Sequence, residues 1–241
     1  MLQEEKKTQL KRKILLEYLP MSITGIGILI SAIVFKQMVI KVVPLFVSLL
    51  VMLLSSRANR FTFLLGAANS VIYIIGYIME GVYGQVAQAV FGIVMMLIAY
   101  FRWKKDAYGK STHFRSFSIR GKILLTLVIC AAWATASFVL WKMNGTAVVF
   151  DGLTMVLGFA VNILNVWGFI EVPFINLIAS FMQSIMWVQI IFANGNYAAA
   201  TYFVSNLYNL YMIARTAIKW CSLYKEQQAK KKVQGGADNA N

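Results

Sequence analysis

Charged residues are scarce in this chain, and acidic residues are the scarcest of them. Only 13% of the 241 residues are charged, with nine Asp and Glu against 23 Lys and Arg, while 59% are hydrophobic. Water-soluble domains carry about 25% charged residues and about 45–50% apolar ones. A soluble domain of this composition could not cover itself with polar surface, which excludes a soluble enzyme.

Residues that carry catalysis or bind metals are also few. The single histidine, His113, lies in a basic segment where we expect it to be solvated. No carboxylate pair, HExxH, GxSxG or phosphate-binding glycine loop occurs in the sequence. Cys130 and Cys221 have no CxxC partner, so we expect two free thiols. The sequence therefore predicts a protein that is not an enzyme and that holds no metal or cofactor.

Long apolar runs dominate the rest of the chain. Most of the eight runs reach the roughly 20 residues that cross a hydrocarbon core as a helix, and their continuous hydrophobicity argues against strands. The predicted fold class is an all-α integral membrane protein with eight transmembrane helices. The runs are Leu16–Phe35, Met38–Leu54, Phe61–Met79, Val82–Phe101, Ile123–Trp141, Val148–Trp167, Phe174–Phe192 and Tyr197–Ile213.

The net charge of +14 is interpreted as a sign of orientation in the membrane. Lys and Arg collect on cytoplasmic loops, and with eight spans 20 of the 23 basic residues fall on one face. We therefore expect a multi-pass inner-membrane protein in contact with the lipid bilayer and not with nucleic acid, with both termini cytoplasmic. The basic loop between Lys104 and Lys122 is expected to lie against the anionic inner leaflet.

An internal repeat organises the predicted spans. A shift of 114 residues places Gly81 on Gly195, Asn69 on Gln183 and Tyr73 on Trp187. We interpret this as two three-helix units joined by one linker helix, a 3+1+3 parallel repeat with an extra N-terminal helix. Chance similarity between apolar helices is the alternative. In a parallel repeat, the substrate site is expected near mid-membrane between the repeats.

The predicted domains follow from this repeat. They are 1–37, a basic cytoplasmic tail with the extra helix; 38–103, the first three-helix unit; 104–146, the basic loop and linker helix; 147–220, the second three-helix unit; and 221–241, a disordered cytoplasmic tail.

Uncharged polar side chains within the runs form the candidate site. Buried amides cost free energy unless they are hydrogen-bonded, so they serve either as interhelical contacts or as a pathway for a polar solute. They lie on four predicted helices, and the same shift of 114 residues relates those of the first unit to those of the second. This placement favours the pathway. Amides beside aromatic rings suit a flat ring that carries hydroxyls, and a cationic ring gains further from an aromatic face. The predicted substrate-binding residues are Asn69, Tyr73, Gln85, Gln88, Gln183, Trp187, Tyr202, Asn206 and Asn209.

Asp151 lies in the first outer turn of the sixth run. We interpret it as a cap of its own helix at the interface, in preference to a contact with an ion or substrate. No proton relay or carboxylate ion site is expected deep in the bundle. This pattern favours facilitated diffusion over pumping.

The order of these features resembles the Pnu-type vitamin transporter family. The likeness covers about Met38–Trp220 and rests on the 3+1+3 layout, the GVYG…F…W run at Gly81–Trp103, the Phe150-Asp151 opening of the second unit and the GNYA run before Trp220. The resemblance implies a full-length SWEET-like fold and a homotrimer. It also implies that the protein imports a nucleoside-like vitamin by facilitated diffusion, with nicotinamide riboside as the first candidate. Phosphorylation inside the cell would then trap the imported vitamin.

Two departures leave the particular vitamin open. Met96–Tyr100 reads MLIAY where the family commonly has Asn followed by Gly-Trp, and the polar residues of the seventh run are shifted. Another nucleoside or thiamine therefore remains an alternative substrate. A membrane substrate-binding subunit for a vitamin, working with a separate ATP-driven module, is the alternative function. A structural or lipid-handling protein, with the amides serving only as interhelical contacts, is a third.

Overall fold

Long helices make up most of the chain, as the continuous apolar runs predict. The computed structural model describes residues 11, 14–193 and 195–238. A π-helical turn at Ile14–Tyr18 leads into the first helix, and a 3-10 turn at Tyr197–Ala199 precedes the last. The helices are α1 (Leu19–Val34), α2 (Val39–Ser56), α3 (Phe61–Glu80), α4 (Tyr83–Lys105), α5 (Ile119–Lys142), α6 (Val148–Trp167), α7 (Val172–Ala193) and α8 (Ala200–Asp238). Most of the predicted N-terminal basic tail and the last three residues lie outside the described residues.

Seven helices in the described part of the chain are long and apolar enough to cross a membrane. They are α2 to α7 together with α1 and the turn before it, Leu15–Val34. The last helix, α8, is not among them because its first turns carry polar side chains, including Asn206 and Asn209. The chain is therefore a helical, multi-pass membrane protein.

Six helices form a closed ring. Around it, α2 packs on α3, α3 on α4, α4 on α6, α6 on α7, α7 on α8, and α8 on α2. Outside this ring, α1 packs on α8 and α5 packs on α6. Only 11% of the apolar stretch of α5 is buried, against 56% of that of α6. The predicted linker helix thus lies at the edge of the bundle.

The two ends of the ring differ in chemistry. At one end, here called the glycine-turn end, Gly81 and Gly195 connect successive helices with φ of +69° and +65°. Glycine adopts this left-handed region without the steric cost that a Cβ brings. The opposite end, here called the basic end, carries Arg57, the segment 104–122 and Arg215.

The segment 104–122 is folded against α8. Its strands β1 (Ala107–Tyr108) and β2 (Ser111–Thr112) pair antiparallel, and His113 is exposed as predicted. The buried side chain of Gln227 accepts a hydrogen bond from the Phe114 N–H at 2.8 Å and donates one to the Thr112 carbonyl at 2.9 Å. The prediction of a disordered tail over 221–241 is therefore wrong as far as Asp238, because α8 continues to that residue and its Gln227 side chain bonds the loop backbone; residues 239–241 lie outside the described part of the chain.

Replacing this side chain should weaken the fold. We expect Gln227→Ala to lower the free energy of unfolding by about 1–3 kcal/mol, since it leaves a buried N–H and a buried carbonyl without partners. Thermal unfolding in detergent measures the change as a lower Tm. The matched control is Gln228→Ala, at a neighbouring position that makes neither bond. Equal Tm values for Gln227→Ala and the wild type would contradict the docking of the loop.

Candidate functional site

A polar cavity of about 210 Å³ lies within the ring. Pockets for drug-sized ligands measure roughly 300–1,000 Å³, so this cavity suits a small solute. Its walls come from α2, α3, α4, α7 and α8. Among the described residues that line it, none is charged.

The structure brings all of the sequence-predicted site residues to this cavity. They come from α3, α4, α7 and α8, two or more from each helix. The lining includes Asn69, Tyr73, Gln85, Gln88, Gln183, Trp187, Tyr202, Asn206 and Asn209.

Further polar lining residues were not among those predicted. Tyr77 follows Tyr73 by four residues, and this spacing on one helical face could have indicated it. The serines stand singly in apolar runs, where a hydroxyl bonded to its own helix is the ordinary interpretation, so no pattern pointed to them. The additional polar residues are Ser48, Ser70, Tyr77, Asn176, Ser180 and Ser205.

Two of the cavity asparagines, Asn69 and Asn206, donate from their nitrogens to protein oxygens. Asn69 Nδ2 donates to the Pro44 carbonyl at 2.9 Å. Asn206 Nδ2 donates to the Ser180 carbonyl at 2.7 Å and to Ser184 Oγ at 2.9 Å. A carbonyl only accepts, so these contacts assign which end of each amide is nitrogen. Within the described part of the chain, the Oδ1 atoms of Asn69 and Asn206 are buried and have no partner.

Two cavity glutamines form a chain across the ring. Gln183 Nε2 on α7 donates to Gln85 Oε1 on α4 at 3.3 Å. In turn, Gln85 Nε2 donates to Thr154 Oγ1 on α6 at 2.6 Å. These amides therefore link α7, α4 and α6, and Gln85 uses both its oxygen and its nitrogen to do so.

Aromatic rings form one wall of the cavity. Trp187 and Tyr202 are stacked with centroids 4.7 Å apart, and Tyr73 and Tyr77 are stacked at 5.2 Å. Tyr77 and Tyr202, 6.4 Å apart, join the two stacks. One face of the Trp187 ring is thus already covered, and the residue is only 1% exposed.

Asp151 caps a neighbouring helix. Its side chain is fully buried and accepts hydrogen bonds from the backbone N–H groups of Gly84 at 2.8 Å and Gln85 at 3.1 Å. These groups lie at the start of α4, where helix N–H groups have no intrahelical partner and where negative charge is favoured. The prediction that Asp151 caps its own helix is therefore wrong, since the carboxylate anchors α4 to α6.

Charged clusters lie beyond the cavity at both ends of the ring. At the glycine-turn end, Glu80 accepts from Lys41 Nζ at 2.6 Å and from Asn196 Nδ2 at 2.5 Å. At the basic end, Glu17 pairs with Arg57 and, at 3.2 Å, with Arg215. The hydrogen bond to Glu17 raises the pKa of Arg57. The Glu80 cluster joins α2 and α3 to Asn196, which precedes α8. The Glu17 cluster joins the turn before α1 to Arg57, which follows α2, and to Arg215 in α8.

The fold and cavity define a class, a multi-pass membrane protein with an uncharged polar chamber among its helices. The family model described as nicotinamide mononucleotide transporter matches residues 38–221, and the chain belongs to this family of transporters, which is not an enzyme family. The crystal structure of the vitamin B3 transporter PnuC is similar in fold, with a TM-score of 0.73 over 87% of this chain and 92% of that one. At 14% sequence identity this likeness shows the fold. No curated protein matches the chain significantly in sequence.

The Asp151 cap predicts a specific requirement for glycine at position 84. A Cβ there would lie 2.8 Å from Asp151 Cγ and 2.9 Å from the Asp151 carbonyl oxygen. We expect Gly84→Ala to lower stability by about 1–3 kcal/mol through overpacking, measured as a lower Tm in detergent. Gly25→Ala is the control, because its nearest neighbour would be 3.5 Å away. Similar Tm values for the two variants would argue against a close α4–α6 contact.

Proposed function

We propose that this protein imports nicotinamide riboside, or a closely related nucleoside-like vitamin, by facilitated diffusion with alternating access. The observation that carries the proposal is a cavity of amides, hydroxyls and aromatic rings without a charged side chain, in a chain of this transporter family. The predicted residues lining that cavity are proposed to bind the solute.

The lining of the cavity disfavours a solute that carries a phosphate group. A phosphate group buried away from water needs cationic partners or many charge-assisted hydrogen bonds. Among the described lining residues there is no Lys, Arg or His. A nucleoside therefore fits the lining better than the mononucleotide in the family description.

The aromatic wall supports a cationic ring. Nicotinamide riboside carries a positively charged pyridinium, and a cation over Trp or Tyr gains about 0.5–2 kcal/mol, the higher figure when desolvated. Trp187 and Tyr73 lie on the cavity surface with amides beside them. For such a ring to stack on Trp187, Tyr202 would move aside.

Eight spans in a 3+1+3 parallel repeat form part of the proposal. The pairs Gly66/Ser180, Asn69/Gln183 and Tyr73/Trp187, all 114 residues apart, line the cavity. The last helix, α8, has 39 residues, or about 58 Å at 1.5 Å per residue, enough to cross a core of about 30 Å. Units 38–103 and 147–220 would then flank the cavity.

The charges at the two ends of the ring support a proposed orientation of the protein in the membrane and a proposed movement of its helices. We assign the basic end, with both termini, to the cytoplasm of an inner membrane because Lys and Arg favour that side. The Glu80 and Glu17 clusters lie at opposite ends of the cavity, and alternate opening of these ends would give access to one side at a time. A homotrimer is proposed on the family resemblance.

The first test is binding by the purified protein. We expect nicotinamide riboside to bind the wild type in a calorimetric titration, and Trp187→Ala to bind it about tenfold more weakly, which corresponds to about 1.4 kcal/mol. Trp141→Ala is the matched control, since Trp141 is 61% exposed on α5. Absence of wild-type binding, or full affinity in Trp187→Ala, would overturn the proposal.

The second test is transport in liposomes that contain only this protein. We expect uptake of nicotinamide riboside down its gradient without ATP or an ion gradient, and no uptake of nicotinamide mononucleotide, because the cavity lacks a partner for phosphate. Binding without uptake would favour a substrate-binding subunit that needs an ATP-driven module. Uptake of the mononucleotide at a similar rate would contradict the argument from charge.

A further inference from the structure

One helix of the ring, α6, lies behind the cavity wall. None of the described lining residues belongs to α6, although it packs along α4, which supplies Gln85 and Gln88 to the lining. Gln85 donates a hydrogen bond to Thr154 of α6. One turn further along both helices, Gln88 contacts Gly158, which is buried. The contact between Gln88 and Gly158 therefore joins the cavity lining to the helix behind it.

The missing side chain of Gly158 leaves a space that the Gln88 amide fills. A Cβ at position 158 would lie 2.6 Å from Gln88 Oε1 and closer still to its Cδ and Nε2. These three atoms are the whole amide group of the side chain. A residue with a Cβ at position 158 would therefore displace the amide from its present place.

The Gln88 amide is free to move when it is displaced. Gln85 and Gln183 bond each other, and Gln85 also bonds Thr154, whereas the Gln88 side chain makes no hydrogen bond within the described part of the chain. Gln88 is half-buried and lines the cavity. Because a glutamine side chain has several staggered rotamers, the displaced amide can turn away from α6 and into the cavity.

We propose that Gly158 is a positioning residue that sets the size of the solute the cavity admits, because it gives the Gln88 amide a place outside the volume that the solute occupies. The inference rests on the proposed function and concerns the same site. The cavity measures about 210 Å³, and a carboxamide is larger than a water molecule, which takes up about 30 Å³ in the liquid. A solute made of a ring and a sugar would lose part of its room to the displaced amide.

The experiment is a double-mutant cycle on the full-length protein, titrated with nicotinamide riboside in detergent. We expect Gly158→Ala to bind this solute at least about tenfold more weakly than the wild type, because the amide then overlaps the solute. Gln88→Ala removes the amide. Adding Gly158→Ala to Gln88→Ala should therefore change the affinity by less than about twofold, a failure of additivity that is expected when one residue acts through the other.

Thermal unfolding separates this role from general packing. Gly158→Ala should keep the Tm of the wild type, because the displaced group is an unbonded side-chain end and alanine favours a helix more than glycine does. Gly84→Ala is the comparison, since a Cβ there meets the Asp151 backbone and a carboxylate held by hydrogen bonds, so its Tm should fall. A crystal structure of Gly158→Ala adds a result that needs no solute, with the Gln88 amide expected inside the cavity.

The possible results separate this inference from the proposed function. Unchanged affinity in Gly158→Ala would overturn the inference while the proposed function stands. A Tm for Gly158→Ala as low as that of Gly84→Ala, or a crystal structure in which the amide stays at residue 158 and the helices move apart, would assign Gly158 a packing role only. If the wild type does not bind nicotinamide riboside, the proposed function fails, and the role of Gly158 in solute size fails with it.

Discussion

The need to satisfy every buried polar group without water governs this structure. In a bilayer an unpaired N–H or carbonyl costs several kcal/mol, so polar atoms inside the bundle must find partners on other helices. The cavity amides meet this need asymmetrically, since Asn69 and Asn206 bond backbone carbonyls through nitrogen while their oxygens remain without partners. Interhelical bonding, one of the two roles expected for these amides, is therefore made by their nitrogens.

The same constraint explains why α8 differs from the other long helices. It contributes Ser205, Asn206 and Asn209 to the cavity, and these residues lower its hydropathy below that of the other helices. A helix that faces a polar chamber on one side and apolar neighbours on the other is apolar only over part of its surface. Tyr208 and Met212, on its buried side, pack in the core with Leu45.

Much of the fold and the set of candidate site residues could be predicted from the sequence. Helices, their approximate bounds and the amides that share a face all follow from local periodicity, so the predicted site residues met in one cavity. Their role in binding stays a prediction. Partners that belong to other helices could not be predicted, as Asp151 with α4 and Gln227 with the basic loop show. Periodicity indicates which face of a helix is polar, but the neighbour of that face depends on how the helices are arranged.

The distribution of charge accords with the uncoupled transport proposed for this protein. Three acids outside the cavity have partners: Glu80 pairs with Lys41 at one end, Glu17 pairs with two arginines at the other, and Asp151 accepts hydrogen bonds from the α4 backbone. None of these carboxylates lines the cavity. A solute that enters would therefore meet oxygen dipoles and aromatic faces in place of a fixed negative charge. Dipoles attract a cationic ring more weakly than a carboxylate does, which fits the proposed facilitated diffusion because a tightly held solute would leave slowly.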